Sequence, residues 1–82
     1  MSIEWTHKDR TSRSGRFIVG GTVYRFDMAQ RSTRYGRQTA RMWHWSITRD
    51  RDGVQVAGSL FVGAPVANAN RAASRFTARL GA

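Results

Sequence analysis

Apolar and polar residues alternate with period two through three stretches of the chain. Tyr24, Phe26 and Met28 fall on one side of an extended segment, with Val23, Arg25 and Asp27 on the other. Trp43, Trp45 and Ile47 alternate with His44, Ser46 and Thr48, and Val54, Val56, Gly58 and Leu60 alternate with Gln55, Ala57 and Ser59. This period, carried by aromatic and β-branched residues, predicts strands. Turn chemistry then sets an expected register. Gly20-Gly21 suits a two-residue hairpin loop that needs positive φ, pairing Val19 with Thr22 and Phe17 with Tyr24. A turn centred on Tyr35-Gly36 pairs Met28 with Trp43, Phe26 with Trp45 and Tyr24 with Ile47. A four-residue turn over Asp50, Arg51, Asp52 and Gly53 pairs Ile47 with Val56, Trp45 with Gly58 and Trp43 with Leu60. In that register all the large apolar side chains share one face, and a slip of one residue would turn a strand over.

Beyond Val62 the period changes. Pro65 suits a first helical position, with Asn68 as an alternative cap. Val66, Ala69, Ala73, Phe76 and Leu80 recur at three- and four-residue steps and fall within a sector of roughly 80° on a helix. The expected fold is therefore α+β: a four-stranded antiparallel meander with one C-terminal α-helix on the aromatic face of the sheet. Residues 1–12 are expected to form a flexible arm, with Ile3 and Trp5 as its anchoring residues, and residues 13–82 the sheet-plus-helix domain.

Composition narrows the function classes. The chain has 82 residues and no cysteine, which excludes disulfide staples and thiolate metal sites. Its longest uncharged run, from Gly53 to Asn70, contains Gly, Gln, Ser, Pro and Asn and is no membrane span. Glu4, Lys8 and Asp9 stand where a signal peptide needs an apolar stretch. A chain this short forms no large internal pocket, so no small-molecule substrate and no cofactor are expected. These features predict a small, soluble, cytoplasmic protein of phage or bacterial type.

Charge gives the sharpest signal. Fourteen Lys and Arg stand against five Asp and Glu, a formal net charge of +9. Thirteen of the fourteen bases are Arg, the side chain suited to bidentate phosphate and base-edge contacts, although a GC-rich genome would produce the same bias. The segment 31–41 carries Arg31, Arg34, Arg37 and Arg41 without an acid, interspersed with Ser32, Thr33, Gln38 and Thr39. Both strands would run on past the core there as an arginine-rich ribbon of a size that enters a major groove. Arg71, Arg75 and Arg79 form a second unopposed row, roughly 140° around the helix from its apolar stripe. Arg16 and Arg25, directly opposed across the first hairpin, extend the basic patch over the open sheet face. Unrelieved like charges in that position favour an anionic partner. The expected function is non-enzymatic nucleic-acid binding, DNA before RNA, with these nine arginines at the phosphates.

The stretch WHWSITRDRDGVQVAG from Trp43, followed by SLF and by NRAASRF in the helix, resembles the three-strand-plus-helix DNA-binding domains. These include the plant ethylene-response type and the arm-binding domains of phage integrases. The resemblance covers under half the chain, and the leading strand and the basic ribbon depart from it. It implies a sheet laid in the major groove, read by strand residues such as Arg25, Arg41 and Arg49. The carboxyl half also resembles double-stranded RNA-binding domains, whose leading helix has no counterpart here.

Other uses of the same residues make different demands. An acidic surface of a host protein would complement the charge equally, with Ile18, Val23, Met42, Phe61 and Tyr35 as a contiguous anchor. Ile18, Val23, Met42 and Phe61 are also the candidates for a homodimer contact. Tyr24, Phe26, Trp43 and Trp45 suit a base-stacking platform, but their face is the one rich enough to receive the helix, so they are expected in the core. Asp27 opposite His44 is an acid–imidazole pair that a small nuclease would use. Five carboxylates, two of them in a turn, support no two-metal site.

Overall fold

A computed structural model describes residues 3–81, apart from the side chains of Thr33 and Tyr35. The strands β1 (Glu4–Lys8), β2 (Ser12–Val19), β3 (Thr22–Tyr35), β4 (Gln38–Arg49) and β5 (Val54–Phe61) form one antiparallel sheet in sequence order. They are followed by the helix α1 (Pro65–Gly81), which opens on the predicted proline. The sheet thus has five strands rather than four. The extra one comes from the segment expected as an arm, and Ile3 and Trp5 join it to the core.

The core lies between one sheet face and the helix. Phe26 and Ile47 are fully buried, with Phe17, Tyr24, Met28 and Trp43 around them, and Ala69 and Ala73 of α1 are completely covered. Two alanines one helical turn apart let the helix approach the aromatics closely. Phe76 then packs edge-on against Tyr24, with ring centroids 5.0 Å apart, and against Phe17 at 6.1 Å. Val66 and Leu80, at the two ends of the apolar stripe, remain exposed. Asn70 Oδ1 accepts a hydrogen bond from the backbone of Ile3 at 3.3 Å, tying the helix to the first strand.

Three of the four turns in the sheet have an expected register, and the ladder departs from it at two of them. Gly20 and Gly21 both have positive φ, 56° and 80°, and pair Phe17 with Tyr24 as predicted. At the second turn the loop is Gly36-Arg37, with Gly36 at φ 57°, and Tyr35 faces Gln38. This moves the β3–β4 ladder by two residues: Phe26 meets Ile47, Met28 meets Trp45, and Tyr24 meets Arg49. An even shift preserves the faces, so the core membership survives it.

The third turn, residues 50–53, has the predicted length and pairs Arg49 with Val54. A bulge then intervenes in β5, where Gln55 faces Thr48 but Ala57 faces Ile47, leaving Val56 as the extra residue. From there Trp45 lies opposite Ser59 and Trp43 opposite Phe61, not Gly58 and Leu60. The bulge turns Phe61 onto the helix side and leaves Leu60 42% exposed. Both faces of this strand have comparable apolar content, so its alternation alone does not choose between them.

Candidate nucleic-acid interface

Beyond the Gln30–Trp43 pair, β3 and β4 continue together through Arg31–Met42, Ser32–Arg41, Arg34–Thr39 and on to Tyr35–Gln38. At about 3.4 Å per residue this ribbon extends the sheet by roughly 20 Å. The consequence is visible in the whole molecule. Its extents are 45 × 27 × 23 Å, and its radius of gyration is 13.2 Å, where a compact chain of this length has about 12 Å. Arg31, Arg34, Arg37 and Arg41 are all exposed. Arg34 Nε donates to the carbonyl of Gly36 at 3.2 Å, which holds that side chain against the turn. Directly paired residues share a face, so Arg34 and Arg41 belong by register to the helix side and Arg31 to the open side.

Arg71, Arg75 and Arg79 are also exposed, spaced about 6 Å apart along α1 by helical rise. They line one wall of a groove of about 490 Å³, whose other wall is β5 and whose lining includes Trp45, Phe61 and Phe76. The groove was not foreseen. Finding it required placing Phe61 on the helix side, which depends on the bulge.

The acids are spent elsewhere. Glu4 pairs with Arg16 at 3.3 Å, Asp27 with Arg25 at 3.4 Å, and Asp52 with Arg49 at 2.9 Å. Among the described residues, none of the four ribbon arginines or the three helix arginines has an ion-pair partner. Arg16 does lie opposite Arg25 as expected, but each of the two has its own carboxylate. The like-charge contact that favoured an anion there is thereby relieved. At the 50–53 turn, the hydrogen bond from Arg49 lowers the Asp52 pKa below its ordinary value, against a smaller opposing effect of desolvation. The same bond raises that of Arg49.

The open face holds a shallow concavity of about 440 Å³ lined by Ser12, Ser14, Asp27, Arg31, His44 and neighbours. Asp27 does not face His44. The two-residue shift puts Asp27 opposite Ser46 and His44 opposite Ala29, and Asp27 accepts from Ser14 Oγ at 2.8 Å. No three His, Asp or Glu side chains among the described residues are grouped to hold a metal ion. No described helix is long and apolar enough to cross a membrane.

Two other expected groupings are divided. The protein-binding anchor loses Phe61 to the helix side, while Ile18 and Val23 pair on the open face and Met42 sits opposite Arg31 at the ribbon; the Tyr35 side chain lies outside the described part. Of the trio implied by the resemblance to three-strand-plus-helix domains, Arg25 is on the open face, whereas Arg41 and Arg49 are by register on the other. Searches of protein-family models, curated proteins and solved structures found no match to this chain.

Proposed function

We propose that this protein binds nucleic acid, duplex DNA foremost, without catalysing a reaction. The ribbon carrying Arg31, Arg34, Arg37 and Arg41 reaches into the major groove, and Arg71, Arg75 and Arg79 supply further phosphate contacts. Arg16 and Arg25, held by Glu4 and Asp27, contribute less. The observation that carries this reading is the concentration of charge: among the described residues, seven exposed arginines without an ion-pair partner stand on the projecting ribbon and along one face of the helix. A two-stranded ribbon has the width to enter a major groove, and guanidinium groups among Ser, Thr and Gln are the side chains that contact phosphates and base edges there.

The test is binding to a labelled DNA duplex across a salt series. Each phosphate neutralised contributes about −0.9 to the slope of log affinity against log salt, so seven contacts give a slope of about −6. Replacing Arg34 and Arg37 by Ala should flatten the slope by about 1.8 and weaken binding to all sequences. Absence of binding to duplex DNA, duplex RNA and single strands at low salt refutes the proposal.

A further inference from the structure

We infer that the groove between β5 and α1 is a site for a single strand of nucleic acid, a site distinct from the ribbon; this rests on the nucleic-acid reading above. Its lining contains three cations, Arg71, Arg75 and Arg79, and no anion. It also contains Trp45, Phe61 and Phe76, three half-buried aromatics that the helix leaves partly uncovered. A cationic wall beside aromatic surface is the combination that holds single strands: phosphates track the charges while unpaired bases stack on the rings. Paired bases in a duplex present no free ring face to such a surface. The helix supplies a cation every 6 Å or so, a regular row for a backbone to follow.

The groove also connects to the ribbon. Phe61 lies opposite Trp43, and the next residue of β4 on that face is Arg41, followed by Thr39 opposite Arg34. A strand leaving a duplex held by the ribbon therefore meets Arg41 and then the groove. An acidic peptide is the competing occupant. Paired to the edge of β5, whose residues 56–61 line the groove, it would use backbone hydrogen bonds there, but its carboxylate side chains offer no flat ring to stack on the aromatic lining. The combined lining favours a nucleotide strand.

The test compares a fluorescein-labelled oligothymidylate with a DNA duplex of mixed sequence, using the full chain and three variants. Phe61→Leu removes a ring while keeping the charge and most of the volume. Ser59→Glu places an anion at an exposed position of the groove, and circular dichroism checks that both variants keep the native spectrum. Either variant should weaken oligothymidylate binding about tenfold, with loss of the tryptophan quenching that accompanies the wild-type titration. Phe61→Leu should leave duplex binding unchanged, whereas Ser59→Glu, beside the helix arginines, should weaken it by less than it weakens the single strand. Arg34→Ala with Arg37→Ala should do the reverse, impairing the duplex most. Single-strand affinity unchanged in both groove variants overturns the groove assignment, as does a polyglutamate peptide that displaces the oligonucleotide and is itself sensitive to Phe61→Leu. Duplex binding without any single-strand binding overturns the groove assignment alone, whereas absence of both overturns the nucleic-acid reading itself.

Discussion

Gly15→Ala should destabilise the protein, although it replaces a glycine within a strand. Gly15 lies in β2 with Trp5 opposite on one side and Phe26 on the other. A Cβ there would stand 2.5 Å from Cγ2 of Ile3, 2.8 Å from the backbone oxygen of Glu4 and 3.1 Å from the Trp5 ring. Ile3 can rotate, but the Glu4 carbonyl moves only if β1 moves, so relief shifts the first strand. Two terms then oppose each other. Alanine within a strand gains about 0.5–1 kcal/mol over glycine through the unfolded chain. Overpacking costs about 1–3 kcal/mol, and any exposure of Ile3, now only 5% exposed, forfeits part of the roughly 1.5–3 kcal/mol that its burial contributes. The net loss is about 1–2 kcal/mol, a fall in Tm of roughly 5–15 °C at this chain length. Thermal unfolding followed by tryptophan fluorescence measures it. If the steric account is right, Ile3→Ala must cost less in the Gly15→Ala background than alone, since the two changes act on one contact. A Tm equal to or above that of the wild type would show that β1 does not lie over Gly15 and would refute the reasoning.

The bulge in β5 makes neighbouring residues unequal: Leu60→Ala should change stability by no more than about 0.5 kcal/mol. Phe61→Ala should cost about 2 kcal/mol, reduced from the value for a fully buried ring, and equal losses in chemical denaturation would contradict the bulged register. At the 50–53 turn, Asp52 has a lowered pKa in the folded state, so its stabilising effect is present above the ordinary carboxylate range and is lost as the pH falls through the lowered value. Asp52→Asn should therefore lower Tm at pH 7 and converge with the wild type in strong acid; a difference that persists there would assign the effect to packing.

Periodicity made the sheet legible because one face is buried. Tyr24, Phe26, Met28, Trp43 and Ile47 all reached the core, even though their partners across β3 and β4 were displaced by two residues. The displacement arose at the ribbon tip, where no buried side chain restrains the pairing and only the position of Gly36 in the loop decides it. Pairings that depend on the absolute register, such as Asp27 with His44, were correspondingly lost. In β5 the difficulty was different. Val54, Val56 and Leu60 on one face and Ala57 and Phe61 on the other have similar claims to burial, and a bulge resolves the tie in a way that no alternation encodes. β1 was hard to read for a third reason: it is short, mostly exposed, and held through Ile3, Trp5 and the space at Gly15, so its signal lies in contacts distant along the chain. The arginine segments were legible, because unopposed charge is a local property. The separation of Arg16 and Arg25 from them was not, since Glu4 meets Arg16 only across β1 and β2.

The placement of the carboxylates bears on what the remaining charge is for. Three of the five acids pair with arginines on the body of the sheet and at the 50–53 turn. Among the described residues, the seven arginines of the ribbon and the helix have no such partner, nor do Arg10, Arg13 and Arg51, although a single acid four residues away on the helix, or opposite on the ribbon, would add modest stability. The ribbon is the costlier case: it extends the ladder beyond the hydrophobic core, so its residues are ordered with little burial in return. A chain selected for stability alone would shorten β3 and β4 near Gln30 and Trp43. Four arginines stand among the twelve residues beyond that point, and on the proposed function an anionic partner on the ribbon would offset the cost of keeping the strands long.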